Sequence, residues 1–307
     1  MRILVTGAAG FFGSRALMHL SRDAEVHGVD RPGADRARVE ALAPSTKLHD
    51  CDLAEPGALE SLVAAVRPDL AIHLAWYAVP GKYLNAPENL DHLAASLRLA
   101  RALAESGCKR LVTAGTCFEY DTTLGLLSES TPCEPRFLYS ATKHAMFESL
   151  REACRVWSVS YAHARFFYQY GPWEAPGRLV PAVIAPLLRG EPANVTTGDQ
   201  VRDFLHVDDV ARALTHVAHG ELTGPVNVGS GVPVRVCDVV RAAAKACGRE
   251  ELVRYGALPS REGDPPFICA DVTKLRSTGF TPRFDPDTGL ADTVAWYREQ
   301  ASASKAG

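Results

Sequence analysis

No run of about 18 uninterrupted apolar residues, the least that carries a helix across a membrane, occurs in the 307-residue sequence. The opening MRILVTGAAG reaches a glycine turn after a handful of apolar residues, too soon for a secretory core segment. A block of Lys or Arg is also lacking: 33 basic residues against 36 acidic ones leave a formal charge of −3, which argues against a nucleic-acid or anionic-membrane surface. The eight cysteines (51, 108, 117, 133, 154, 237, 247 and 269) include no CxxC pair, so no zinc cluster or disulfide framework is expected, only free buried thiols. Repeats and low-complexity tracts are missing apart from residues 301–307, a tail with nothing to bury that reads as disordered. The expectation is a cytoplasmic protein without metal, nucleic-acid or membrane partners.

What is present is a chain 47% apolar, long enough for one large domain or two coupled ones. Short β-rich runs at 3–6, 25–30, 70–74, 110–114 and 159–167 carry apolar residues on both faces, as strands between two helix layers do. Helical patterns separate them, the clearest from Pro87 to Ser106, where Leu90, Leu93, Leu97, Ala100 and Ala104 recur at helical spacing before Gly107. This alternation predicts an α/β fold with a doubly wound parallel sheet. After about residue 170, Gly-Pro and Pro-Pro breaks divide the chain into shorter pieces, read as a smaller α/β cap. The expected division is a nucleotide-binding domain over 1–167 rejoined by 203–229, with the cap built from 168–202 and 230–300.

Thr6-Gly-Ala-Ala-Gly-Phe-Phe-Gly13 follows the first strand and opens a helix. Gly7, Gly10 and Gly13 suit a tight turn, backbone N–H groups close to a pyrophosphate, and near contact of helix and strand; Phe11 and Phe12 ride in the same loop. Asp30 ends the second strand 20 residues beyond Gly10, where a carboxylate meets an adenosine ribose hydroxyl and disfavours a 2′-phosphate. The pattern predicts a bound NAD or NADP, NAD being favoured by Asp30, with Arg31 softening that preference. Asp52 and Leu53, after the third strand, would reach the adenine; otherwise Asp52 is a solvated turn residue and Asp30 a strand-end one.

Tyr139 and Lys143 stand four apart, on one face of a helix. A neighbouring cation lowers a phenol's pKa toward working pH, where the phenol exchanges protons, and the ammonium can also bind the nicotinamide ribose. Thr116, at a strand's C-terminal end, would share the same substrate oxygen.

With these residues the sequence resembles the extended short-chain dehydrogenases/reductases of the sugar-nucleotide-modifying branch, over nearly its whole length. The family's glycine motif is matched by Gly7, Gly10 and Gly13, its strand-4 motif by His73-Leu74-Ala75-Trp76, and its catalytic Ser/Thr, Tyr and Lys by Thr116, Tyr139 and Lys143. Residues 165–172 (RFFYQYGP), 202–209 (RDFLHVDD) and 279–282 (GFTP) resemble landmarks of its cap. The resemblance implies a nucleoside diphosphate sugar as substrate, with Arg202 and Arg261 nearest to the nucleotide and diphosphate contacts, and Cys117, Phe118, Tyr168 and Leu179 beside the sugar. It also implies a homodimer through the helices near 87–106 and after Tyr139.

Departures from the family pattern separate its reactions. The 4,6-dehydratases carry Asp-Glu directly after the catalytic Thr; here Cys117 and Phe118 stand there, with Glu119 one residue on, which disfavours dehydration. Tyr168 replaces an Asn common in epimerases and dehydratases, and the 114–121 stretch resembles NDP-deoxysugar 4-ketoreductases of the abequose-synthase type. The expected reaction is NAD(P)-dependent reduction of a nucleotide-linked 4-keto-6-deoxyhexose, with NAD-dependent 4-epimerisation as the alternative and a non-catalytic dinucleotide-binding role behind both. Among lesser residues, His73 reads as a hydrogen-bonded core histidine, His92 as a site-lining or packing residue, and Trp76 as narrowing the cofactor-facing wall. Asp208 and Asp209 read as helix-capping residues.

Overall fold

The computed structural model describes residues 1–21, 24–260 and 262–306, with side chains described to residue 302. The strands, in chain order, are β1 (Arg2–Thr6), β2 (Glu25–Asp30), β3 (Lys47–Asp50), β4 (Leu70–His73), β5 (Arg110–Thr116), β6 (Leu126–Leu127), β7 (Ser160–Phe166), β8 (Tyr168–Tyr170), β9 (Ala193–Asn194), β10 (Val201–His206), β11 (Gly224–Val228), β12 (Pro233–Arg235), β13 (Val253–Arg254) and β14 (Phe267–Ala270). The helices are α1 (Phe11–Leu20), α2 (Ala37–Leu42), α3 (Ala58–Val66), α4 (Glu88–Glu105), α5 (Leu138–Trp157), α6 (Leu179–Arg189), α7 (Val207–His219), α8 (Val236–Cys247), α9 (Thr273–Arg276) and α10 (Pro286–Ala306).

Seven strands form one parallel sheet in the order β3-β2-β1-β4-β5-β7-β11. Each central strand is apolar on both faces because helices cover both. Ile3, Val5, Ile72, Val112 and Ala164 pack toward α1 and α7, while Leu4, Ala71, Leu111 and Tyr161 pack toward α3, α4 and α5. The chain reverses its winding direction between β1 and β4, so a crevice opens beyond their C-terminal ends. This is the Rossmann-type α/β architecture that the alternating pattern predicts.

A second sheet, β12-β10-β14-β6 with β8 beside β10, and a two-stranded pair, β13 with β9, build the smaller lobe. Its own apolar core joins α6, α8 and α10 through Ile184, Leu187, Val240 and Leu290. β11 returns from this part of the chain to the edge of the main sheet.

Three details differ from the sequence reading. In α4 the fully buried stripe is Asn89, Ser96, Leu99 and Leu103, whereas Leu93, Leu97 and Ala104 are half-buried and Leu90 is 54% exposed. Residues 301–306 continue α10 where a disordered tail was expected. At α7 the side chain that caps the N-terminus is His206, through the Asp208 N–H; Asp209 instead accepts from the backbone N–H groups of Arg283 and Phe284 (2.9 and 3.0 Å) and from Arg212, fixing the start of the last helix's approach. Asp208 pairs with His19 of α1. All eight thiols are free, seven of them buried and Cys133 half-buried.

Candidate active site

The glycine turn is shaped by collisions that any side chain would cause. Gly7 adopts a left-handed φ of +69°, and a Cβ there would lie 2.8 Å from the Ala75 amide nitrogen of the loop after β4. A Cβ on Gly13 would strike the Gly7 carbonyl oxygen. Only glycine lets α1 start this close to β1 and leaves the loop's backbone open for phosphate. Phe11 and Phe12 are in contact at the start of α1, and Phe12 packs on Phe166 of β7.

Asp30 sits at the C-terminal end of β2, its carboxylate accepting the Ala9 N–H of the glycine loop. Burial pushes its pKa up, against that hydrogen bond and the fields of Arg36 and Arg31. Arg31 is exposed; Arg36 pairs with Asp50, and Arg38 reaches back to the Ala9 carbonyl at 3.4 Å. The latter two are cations beside the adenosine end that the sequence reading did not single out. Asp52 folds onto the Ala54 N–H (2.9 Å), and Leu53 is buried in the core under β3.

Beneath the turn runs a buried relay. The Ala75 N–H faces the Thr6 hydroxyl at 3.4 Å, Thr6 meets His73 Nδ1 at 2.6 Å, and His73 Nε2 meets the Ser96 hydroxyl at 2.7 Å, which donates to the His92 carbonyl at 2.6 Å. Since Ser96 spends its proton on that carbonyl, His73 carries its own proton on Nε2 and accepts from Thr6 on Nδ1. Burial, with the Lys143 charge adding to it, pushes the His73 pKa down to about 3, so the ring is neutral. His73 is the hydrogen-bonded core histidine expected of it.

The structure brings Thr116, Tyr139 and Lys143 together where β5 and the start of α5 meet. Thr116 ends β5, its hydroxyl accepting the Phe118 N–H at 3.3 Å while Glu119 Oε1 accepts the Thr116 N–H at 2.8 Å. Tyr139 lies in the first turn of α5, ringed edge-on by Tyr83 (4.9 Å between centroids) and Trp76 (6.5 Å). The Lys143 Nζ donates to the Ala114 carbonyl at 2.7 Å and lies 3.7 Å from the Trp76 ring centroid but 6.0 Å from that of Tyr139.

This geometry corrects one expectation: Lys143 does not acidify the phenol here. Burial is the dominant influence and raises the Tyr139 pKa, with the Thr116 hydroxyl pulling modestly the other way. Burial also drops Lys143 to about 7, Glu119 working against it. The phenol is therefore held protonated.

Glu119 is turned away from any substrate. It is fully buried, 3.0 Å from His163 Nε2 and 2.9 Å from Arg165 Nε. Burial works against its charge, yet His163 and Arg165 hold its pKa down to about 2. Cys117 is packed with Tyr120, Leu127 and Phe167, its thiol pushed up to about 12 mainly by burial, so it is no nucleophile. Phe118 meets Phe137 and Tyr168 edge-on at 6.1 and 6.3 Å.

On the cap side, Tyr168 leads β8 and Leu179 opens α6. Arg202 of β10 is only 3% exposed, stacks over Tyr168 at 5.4 Å and pairs with Asp264 at 2.7 Å. Arg261 lies outside the described residues. Sequence reasoning missed Tyr83, Arg178 (5.2 Å over the Tyr83 ring) and Asn89, which joins the Trp76 indole to the backbone of 83–86. None belongs to a motif; the one available signal was an Asn at the start of a helix, on the same face as His92 one turn on.

Comparison with known proteins agrees with the fold. Residues 3–229 match the family model described as "NAD dependent epimerase/dehydratase family". The dTDP-glucose 4,6-dehydratase of Salmonella typhimurium is 27% identical, the match covering 97% of this chain and 92% of that protein. Among solved structures, UDP-glucose 4-epimerase from Thermotoga maritima with UDP-glucose superposes at a TM-score of 0.89 and 25% identity, over 98% of this chain and 100% of that one. MoeE5 in complex with UDP-glucose and NAD superposes at 0.81 and 33% identity, with 98% and 100% coverage. The chain belongs to the NAD-dependent epimerase/dehydratase family, the sugar-nucleotide branch of the extended short-chain dehydrogenases/reductases.

Proposed function

We propose that the protein is an NAD(P)-dependent 4-ketoreductase acting on a nucleoside diphosphate 4-keto-6-deoxyhexose. The observation that carries this reading is that, among the described residues at the end of β5, Tyr139 stands without a free carboxylate beside it. Cys117 is buried, Phe118 is apolar, and Glu119 is bound to Arg165 and His163, so these three do not supply the acid and base that removal of water from a sugar requires. Relatives that hold UDP-glucose and NAD support the substrate class and the cofactor.

One feature favours reduction over epimerisation. Phe118, Phe137 and Tyr168 wall the sugar side with edge-on aromatic contacts, a surface suited to a C6 methyl group and to one fixed presentation of the ring. Epimerisation requires both faces of the keto sugar to be offered in turn. The family likeness to 4-epimerases keeps that as the second reading.

The glycine turn and Asp30 would hold the dinucleotide, whose nicotinamide supplies the hydride when bound. Tyr139 donates its proton to the C4 oxygen, and Thr116 holds that oxygen by a second hydrogen bond. Lys143 has an N–H left for a ribose hydroxyl. Arg202 exchanges Asp264 for a phosphate oxygen of the substrate, a guanidinium fork matching either anion. Purified protein incubated with NDP-4-keto-6-deoxyglucose and NADH or NADPH is expected to consume the 340 nm absorbance stoichiometrically. No consumption with any nucleotide base, together with C4 inversion of an NDP-hexose, would establish the second reading instead.

A further inference from the structure

Lys143 carries three N–H donors on a fully buried ammonium. One goes to the Ala114 carbonyl oxygen. The carboxylate acting on it is Glu119, already spent on His163 and Arg165. What covers the ammonium instead is an aromatic face: the Trp76 indole, with Nζ 3.7 Å from its centroid, well inside cation–π range.

That face is braced. The indole N–H donates to Asn89 Oδ1 at 2.8 Å, and the Asn89 amide donates to the carbonyls of Tyr83 and Ala86 at 2.7 and 2.8 Å. Asn89 is wholly buried, so each of these bonds is costly to lose. His92 stacks on Trp76 at 5.4 Å and Tyr139 meets it edge-on. A side chain serving only to fill volume needs neither a π face turned to a cation nor a locked N–H.

We propose that Trp76, braced by Asn89, is a positioning residue for Lys143: its indole face stabilises the ammonium where no free carboxylate does and keeps one N–H available for a ribose hydroxyl of the dinucleotide. This deepens the functional reading above and rests on it for the role of Lys143. Burial favours loss of the Lys143 charge, and an indole face opposes that loss. The titratable groups facing or coupled to Lys143 are Tyr139, Glu119, His73, His92 and His163.

The contact is tested first without cofactor, by titrating tryptophan emission from about pH 5 to 10, a range that spans a lowered lysine. Wild type should show a step as the ammonium above the indole is neutralised, and Lys143→Met should lack it. A step that survives in Lys143→Met, with His92 as its source, or no step in wild type, overturns the proposal. Dinucleotide affinity is then followed against pH by calorimetry, with thermal melting to establish folding. Trp76→Leu should move the alkaline fall in affinity about one unit lower, a loss of about fivefold at the wild-type midpoint that approaches tenfold about a unit above it. Trp76→Phe, which keeps a π face, should remain within about threefold of wild type. A Trp76→Leu profile that overlays wild type overturns the proposal. A wild-type emission step without any dinucleotide binding would instead sink the functional reading and leave the Trp76–Lys143 contact standing.

Discussion

Tyr139 shows how far residue chemistry is readable from spacing alone. The i, i+4 relation to Lys143 puts both on one face of α5, and both do arrive at the end of β5. The coupling between them was not readable, because it depends on which acceptor the amine finds; the Ala114 carbonyl and the Trp76 face take it, and burial decides the phenol's state. Tyr139→Phe removes the proton donor without removing the ring that packs on Tyr83. Turnover is expected to fall about 10²–10⁴-fold, with dinucleotide affinity within a factor of a few by calorimetry. A variant with wild-type turnover would show that the proton comes from elsewhere.

Buried His73 and Glu119 set the acid side of stability. His73 is depressed from an ordinary 6.5 to about 3, so the unfolded chain binds its proton first and stability declines as pH falls from about 6.5 toward 3. Glu119, depressed to about 2, adds a second loss once pH falls below the ordinary carboxylate value. Glu174, raised by burial to about 8, works the other way over the same range. Between neutral pH and about pH 4 the chemical denaturation midpoint of wild type should therefore fall relative to that of His73→Gln; parallel profiles would mean that His73 is charged in the fold.

Among elements, the exit of β5 is the most informative. Its strand pattern and Thr116 at its end were legible, since apolar residues on both faces identify a central strand of a parallel sheet. The role of Glu119 was not: the sequence places it near the catalytic Thr, and only the fold brings His163 and Arg165 of β7 against it across the sheet. Glu119→Gln leaves Arg165 buried without its counter-charge, at an expected loss of about 3–5 kcal/mol, read as a lowered melting temperature. If Glu119→Gln melts with wild type while turnover collapses, Glu119 belongs to the chemistry and not to the scaffold. Helix α4 teaches a similar lesson about faces. Its apolar periodicity fixed the helix, but the buried seam runs through Asn89 and Ser96, whose polar partners Trp76 and His73 lie on other elements.

For the whole molecule, the α/β alternation and the glycine turn were enough to give a doubly wound parallel sheet with its ligand crevice at the strands' C-terminal ends, because both follow from local patterns and fixed rules of chain crossing; the count of seven strands came from the fold. The cap was less legible, being assembled from β8, β10, β12 and β14, pieces of three to six residues whose pairing partners are far apart in sequence. What the assembled molecule offers is a dinucleotide crevice on one side, a buried guanidinium at Arg202 on the other, and Tyr139 between aromatic walls. In the proposed reaction hydride and proton meet at C4 of a keto sugar in that gap. Its most direct test is reduction of NDP-4-keto-6-deoxyglucose with cofactor carrying two deuteriums at the nicotinamide C4, the product being read by mass spectrometry and NMR. One deuterium at sugar C4, with the labelled product formed about 10²–10⁴-fold more slowly by Tyr139→Phe, is the predicted result. Product formed without deuterium at C4, or formed equally well by Tyr139→Phe, would contradict it.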